Sequence, residues 1–389
     1  MVRAVKHLFP TKADEIHADW QWQLRHQIRE TSSLLEHPRL QHARIQQRLR
    51  LALEADRSLA RSFRFALTPY YLSLINPDEN GHCPVLEQIL PAPDELDASI
   101  YADPDPLAEE RHMPVRGLTH RYPDRVLWYT SHHCAVYCRF CLRKRKVSHA
   151  DSAPRKSEQS AILEYIASHT EIKEVILSGG DPLTLTDAQI GVMLAELKNI
   201  QHIISIRIHT RMPVTLPMRI TDELCSILRA HYPLTLVTHF NHAAEVGPQA
   251  FDSVRRLRMA GVLVLNQSVL LRNVNDTVQD QEDLILTLLR AGIKPYYLHR
   301  CDEVRGVAHF RVPIETGRNI LRELRGRNPG IALPRYMIDL PGGGGKVPYE
   351  PDYLQEIGTD AEGHSYYRFQ NAFNTEYRVR ADRPHSDVD

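Results

Sequence analysis

Three cysteines, Cys134, Cys138 and Cys141, stand in the order C-x3-C-x2-C within the run CAVYCRFC. Three thiolates on one tight loop can each hold one iron of a four-iron cluster, which leaves the fourth iron without a protein ligand. An iron open in this way is a place for chemistry. The loop's other metal option is a structural zinc site, which wants four closed ligands and usually paired C-x2-C spacing; His132 or His133 could supply the fourth. The cysteine spacing, the strand pattern before it and the barrel pattern after it favour the cluster. Cys83, Cys225 and Cys301 are scattered, and such uneven usage in a long chain points to metal or redox chemistry and away from a disulfide framework.

The second reactive pattern is the run DLPGGGGKVP, from Asp339 to Pro348. Four glycines strip the backbone of side chains and leave one amine, Lys346, that a crowded site could receive. A lysine so presented can form a Schiff base with an aldehyde cofactor. No Ser or Thr follows the lysine and no strand and helix flank the run, so it is not a phosphate-binding P-loop. Without the cysteine loop, a surface turn with a solvated lysine would be the preferred reading.

Positioning these groups requires elements whose ends converge. From Lys12 to about Leu59 the residues are helix formers with amphipathic spacing, which predicts a helical N-terminal region. A stretch rich in Pro and Asp, Asn76 to Pro106, predicts an irregular connection. Beyond Leu118, short β-branched runs alternate with helical segments. The predicted strands are Val126–Thr130, Glu174–Leu177, Ile203–His209, Leu234–Thr238, Val262–Asn266 and Pro295–Leu298. The predicted helices are Ser157–His169, Asp187–Asn199, Asp222–His231, Pro248–Ala260, Thr277–Ala291 and Glu315–Arg327.

Strands alternating with helices of this length imply α/β architecture with a parallel sheet. Six units make a partial (β/α)6 barrel with an N-terminal helical region and a C-terminal extension, open at the strand C-terminal ends where βα barrels build their sites. The expected division is 1–117 for the helical region and connection, 118–311 for the barrel, and 312–389 for the region that carries Lys346. A polar tail with an aromatic segment near Tyr366 to Phe373 closes the chain, and Ala381 to Asp389 are expected to be disordered.

Lys plus Arg equals Asp plus Glu, 48 against 48, so no uniform field draws the protein to nucleic acid or an anionic membrane. The most apolar segment, Gly261 to Leu271, is broken by Asn266, Gln267 and Ser268, and no membrane span is predicted. The first ten residues lack the apolar stretch of a secretory signal, and a cytoplasmic address is the expectation.

Together the cysteine loop and the glycine-rich lysine resemble the 2,3-aminomutase branch of the radical S-adenosylmethionine superfamily. The resemblance runs from about Trp20 to Arg380 and is dense in Gly117–Arg125, Leu265–Asp276 and the lysine run. It implies that Cys134, Cys138 and Cys141 hold a [4Fe-4S] cluster, that S-adenosyl-L-methionine chelates the open iron and is cleaved to a 5′-deoxyadenosyl radical, and that Lys346 carries pyridoxal 5′-phosphate. Ser178, Gly179, Gly180 and Asp181 match the region that contacts the methionyl amine, and His239 and Gln267 match positions near the same cofactor. Arg121, Tyr122 and Arg125 match positions around the pyridoxal phosphate. Arg143 matches the residue that binds the substrate carboxylate, a task suited to a guanidinium fork. The three cations after it, Lys144, Arg145 and Lys146, read as a solvated basic patch.

Asp302 and Asp339 match two carboxylates that hold the distal ammonium of lysine, whereas glutamate-specific relatives carry a cation and an amide there. A cation taken into a closed cavity needs fixed anions. The implied activity is therefore conversion of L-lysine to β-lysine, with a small-molecule amino acid as substrate, a reducing electron donor such as flavodoxin or ferredoxin, and a homo-oligomeric assembly. Two departures from the pattern stand out: His299 replaces a tyrosine near the pyridoxal phosphate, and Thr277 replaces a cysteine of the zinc site found in some relatives, so no zinc is expected. The rival readings are an aminomutase that makes β-lysine for elongation factor P or acts on arginine or ornithine, a radical enzyme without pyridoxal phosphate, and a zinc-stapled interaction protein.

Overall fold

A computed structural model describes residues 18–59, 63–97, 102–147, 149, 156–362 and 364–381. The expectations for the first residues and for the tail beyond 381 lie outside them. Of the alternating segments, all six predicted strands are present: β2 (Arg125–Ser131), β3 (Glu174–Gly179), β4 (Ser205–His209), β5 (Thr235–Thr238), β6 (Leu263–Leu270) and β7 (Lys294–Arg300). Before them β1 (Leu118–Tyr122) pairs antiparallel with β2, and after them come β8 (Arg335–Leu340) and β9 (Gly345–Pro348). The sheet order is β1 through β9 in sequence, with β2 to β8 parallel. β8 thus adds a parallel strand to the predicted six, and β9 turns back antiparallel on it. The aromatic tail forms a separate antiparallel sheet of β10 (Leu354–Thr359), β11 (Ser365–Gln370) and β12 (Glu376–Arg380).

The crossover helices Lys156–Ser168, Asp187–Lys198, Asp222–Ala230, Pro248–Met259, Val278–Arg290 and Ile314–Leu324 match the predicted ones to within a few residues. Their starts are written locally. Thr186 accepts from the amide of Gln189 while the Gln189 side chain accepts from the amide of Thr186, a reciprocal cap on two otherwise orphaned donors. Thr277, where some relatives carry a zinc cysteine, caps Val278–Arg290 by accepting from the amide of Asp280 at 3.1 Å.

Strand alternation sorts the side chains into two faces. On β4, Ile206 and Ile208 are buried in the core against the helices, while Arg207 and His209 point the other way, into the barrel. The main core is continuous from the N-terminal helices to the barrel: Ile45, Leu49 and Tyr71 belong to the same apolar cluster as Trp128, Leu177 and Val264. No described helix is long and apolar enough to cross a membrane.

Candidate active site

The C-terminal ends of the parallel strands all open onto one mouth. β2 runs into the cysteine loop, β3 into the turn Ser178–Asp181, β4 into Arg211, β5 into His239, β7 into Asp302, and β8 carries Asp339. Consecutive strands therefore hand their chemistry to neighbouring points on the rim.

The cysteine loop is fastened to the turn after β3 by backbone bonds. Gly180 N donates to Ser131 O at 2.6 Å, and Asp181 N donates to His133 O at 2.7 Å. Two glycines make this approach possible. Gly179 has φ +125°, and a Cβ at Gly180 would lie 2.4 Å from His133 O. The turn thus lies in close backbone contact with the cysteine loop. Asp181 is buried and accepts from Thr210 Oγ1, Arg211 N and Leu183 N at 2.7 to 3.0 Å. Burial pushes its carboxyl up to about 6 despite those bonds.

Arg211, which the sequence reading missed, ties the loop to three other segments. Its guanidinium donates to Cys138 Sγ at 2.6 Å, to Gln88 Oε1 and Glu245 Oε1 at 2.6 Å each, and to His239 O at 3.0 Å. The His239 ring packs 5.5 Å from Phe140, and burial, reinforced by Arg211, drives its pKa well down and keeps it neutral. Its Nε2 is buried without a partner, as are His209 Nε2 and the Tyr129 hydroxyl. Gln267 sits half-buried on β6 in register with Tyr297 and makes no hydrogen bond to the other anticipated residues.

The basic run after the cysteines differs from expectation. Arg143 is buried against Glu109 (Nε to Oε1 2.9 Å) and points Nη1 at Ser178 Oγ, 3.4 Å away. Lys144 is buried against Glu95 at 2.8 Å, Arg145 meets Asp105 at 2.8 Å, and Lys146 meets Glu110 at 2.9 Å. The solvated-patch reading of these three cations is therefore corrected: acids from 95 to 110 fold over them. Burial disfavours charge on Glu109, but Arg143, Lys146 and Arg145 outweigh it and hold its carboxyl down at about 2.

On the far side of the mouth the glycine run forms the hairpin between β8 and β9. Gly342, Gly343 and Gly345 take positive φ, and the resulting register sets Asp339 directly opposite Lys346. The Lys346 ammonium meets Asp339 Oδ2 at 2.5 Å, and its amide donates to the Tyr122 hydroxyl at 2.8 Å. Arg121 reaches the same place, with Nη2 3.2 Å from the Tyr122 hydroxyl and 3.8 Å from Asp339 Oδ1. Arg125 is more remote: it stacks 4.6 Å over the Tyr122 ring and pairs with Asp124.

Asp302 and Asp339 line one pocket with Pro106, Leu107 and Ile338. Their environments drive them apart. Burial and then the charge of Asp339 push Asp302 up to about 7. At Asp339 burial is outweighed by His299, whose Nδ1 is 3.6 Å away, and by Lys346, so this carboxyl stays ionised. His299 itself is kept neutral, first by burial and then by Lys346. The charges of Arg143 and Lys346 both act on His209 and on Asp302, so the two halves of the mouth share one electrostatic space.

A strand-ordered parallel barrel with three thiols after its first parallel strand defines a class, and residues 128–303 match the radical SAM superfamily. Residues 321–362, which span β8, the glycine hairpin and β9, match the family described as lysine-2,3-aminomutase. L-lysine 2,3-aminomutase of Methanococcus maripaludis is 42% identical over 77% of this chain and 69% of its own. The enzyme of the same name from Fusobacterium nucleatum is 40% identical over 91% and 81%. Glutamate 2,3-aminomutase of Clostridioides difficile is 36% identical over 88% and 79%. The chain belongs to the lysine 2,3-aminomutase family of radical SAM isomerases.

That membership brings a [4Fe-4S] cluster, S-adenosylmethionine and pyridoxal phosphate as cofactors. The residues present fit all three. Three thiols near enough to influence one another's ionisation make an iron–sulfur donor set, and the orphaned atoms of His209, His239 and Tyr129 await polar partners. A primary amine flanked by Arg121 and a side-chain-free hairpin suits a phosphorylated aldehyde.

Proposed function

We propose that this chain is an enzyme that converts L-lysine to β-lysine by moving the α-nitrogen to Cβ. The observation that carries the reading is the charge layout of the mouth: two acids, Asp302 and Asp339, line one pocket together with Arg300 and Glu303, and the guanidinium of Arg143 stands outside that pocket beside Ser178. An amino acid with a cationic end fits that polarity. Glutamate would bring its distal carboxylate against two acids.

When bound, the cluster with S-adenosylmethionine supplies a carbon radical able to take hydrogen from an unactivated position, and pyridoxal phosphate supplies the conjugated group that makes nitrogen migration feasible. Cys134, Cys138 and Cys141 hold the cluster, with Ser178 to Asp181, His239 and Gln267 bordering S-adenosylmethionine. Lys346 holds pyridoxal phosphate, with Arg121, Tyr122 and Arg125 beside its phosphate. Arg143 grips the substrate carboxylate, and its remaining donors are turned by Glu109, so one edge faces the cavity. Asp302 and Asp339 hold the distal ammonium and fix the chain length that fits between them and Arg143. Buried, neutral His239 and His299 add no charge to compete with either end.

In this reading 1–117 buttress the cysteine loop, 118–311 form the radical-generating barrel, and 312–389 deliver Lys346. The protein works in the cytoplasm as a homo-oligomer, takes electrons from a flavodoxin or ferredoxin, and has no nucleic-acid partner, in keeping with its balanced charge. The test is anaerobic incubation of the reconstituted protein with lysine, arginine, ornithine and glutamate. β-Lysine is the expected product, and conversion of glutamate alone overturns the assignment. Asp339→Asn is expected to raise the KM for lysine by about tenfold or more while the iron and sulfide content stays unchanged.

A further inference from the structure

The amine of Lys346 and the substrate's distal amine are the same chemical group on the same linker. Both are primary ammonium ions at the end of a four-carbon chain. In the structure Lys346 is salt-bridged to Asp339 at 2.5 Å, and the pairing is built into the backbone. Asp339 and Lys346 are directly opposed residues of the β8–β9 hairpin, so their side chains leave the same face of the sheet. Among the described residues the second oxygen of Asp339 is buried without a hydrogen bond, and the more distant Arg121 approaches it at 3.8 Å. One carboxylate carries a single negative charge, and with the Lys346 ammonium already against it a second ammonium is held less strongly.

Resting on the reading of Asp339 as a ligand for the substrate, we infer that Lys346 is an internal mimic of the substrate side chain, which occupies the ammonium subsite until pyridoxal phosphate captures its nitrogen. Capture takes the amine after the ammonium gives up one proton to solvent, forms a carbon–nitrogen double bond, expels the aldehyde oxygen as water and so removes the free ammonium from competition. Asp339 and Asp302 then face the cavity with an uncompensated demand for a cation, which lysine meets. The site is thereby closed to basic amino acids until the aldehyde is in place, and cofactor loading precedes substrate binding.

The experiment measures L-lysine binding by calorimetry to cluster-containing protein prepared without pyridoxal phosphate, comparing wild type with Lys346→Met, Lys346→Arg and the double variant Lys346→Met/Asp339→Asn. Lys346→Met removes the competing charge and is expected to tighten lysine binding by about tenfold or more, because an occupied subsite lowers apparent affinity in proportion to its occupancy. Lys346→Arg keeps a cation opposite Asp339 and is expected to stay near wild type. Equal affinity in wild type and Lys346→Met, including no detectable binding in either, overturns the inference, as does an equal gain in Lys346→Arg. The double variant separates the two ideas. Loss of the gain there upholds Asp339 as the subsite. Full retention of the gain means that Asp339 does not bind the substrate ammonium, and the underlying reading fails with the inference. If Lys346→Met shows no gain while Asp339→Asn still weakens lysine binding to the pyridoxal-loaded protein, only the competition is wrong.

Discussion

Asp302 and Asp339 are both half-buried aspartates in one pocket, yet they ionise differently. Asp339 has Lys346 and His299 beside it and stays charged, while Asp302 has mainly burial and the charge of Asp339, and its carboxyl rises from 3.8 to about 7. An ammonium ligand prefers the ionised form. Capture of Lys346 by pyridoxal phosphate removes one of the charges that hold the Asp302 carboxyl down, so in the loaded protein lysine affinity should still be climbing as pH passes 7, with a limiting slope of roughly tenfold per pH unit on the acid side. Calorimetric dissociation constants between pH 5.5 and 8 check this. Asp302→Asn should bind weakly with a flat profile; an unchanged slope in that variant would assign the titration to another group. The sequence identified both aspartates through resemblance alone, since neither spacing nor composition sets an isolated loop acid apart from a solvated one. Their opposed ionisation could not be read there, because it depends on which charges the folded chain brings alongside.

At the scale of elements, the turn after β3 and the start of the cysteine loop act as one piece. The glycines at 179 and 180 admit the backbone of Thr130 to His133. Gly180→Ala would set a methyl group 2.4 Å from His133 O, so loop and turn must separate. The expected cost is about 1–3 kcal/mol of stability, as for other overpacked sites. Iron content per chain should fall with it, because the loop that carries Cys134 is displaced. Thermal melting and iron and sulfide analysis read the two effects. A variant that melts as wild type with a full cluster would show that the contact yields without consequence. The strands and crossover helices were legible because each carries a short apolar run or a 3.6-residue period between clear breaks. β8 was not recognised because its apolar run, Tyr336 to Ile338, is only three residues long and sits between a Pro-containing loop and the glycine run, so local pattern offered little to separate it from the turn that follows.

Across the whole molecule, the segment that reads as a connection supplies anions to the centre. Glu95 makes paired contacts of 2.8 and 2.7 Å with Arg139, and the same carboxylate takes Lys144 at 2.8 Å. Arg139 lies between the second and third cluster cysteines, and its side chain and that of Glu95 are almost wholly buried. Burial opposes charge on Glu95, but Lys144 and Arg139 more than offset it and hold its carboxyl below the usual range. Glu95→Ala leaves two cations without their anion in the interior, a loss on the order of 3–5 kcal/mol. Chemical denaturation should show it, and a change below about 1 kcal/mol would mean that water reaches the cations once the acid is gone.

From the sequence alone came the candidate cofactor-bearing residues and the class of fold. Thiol spacing within eight residues and a lysine after four glycines are local facts, and strand and helix periods repeat within a dozen residues. The tertiary structure decided the partners: Glu95 with Arg139, Glu109 with Arg143, Arg211 with Cys138 and Asp339 with Lys346. Three of these pairs join residues more than thirty positions apart, and the fourth depends on the register of a strand that was not foreseen. A charge becomes a ligand, a brace or a competitor only when burial removes water and folding chooses its neighbour. That choice is a property of packed surfaces, which a single chain's residue order does not display.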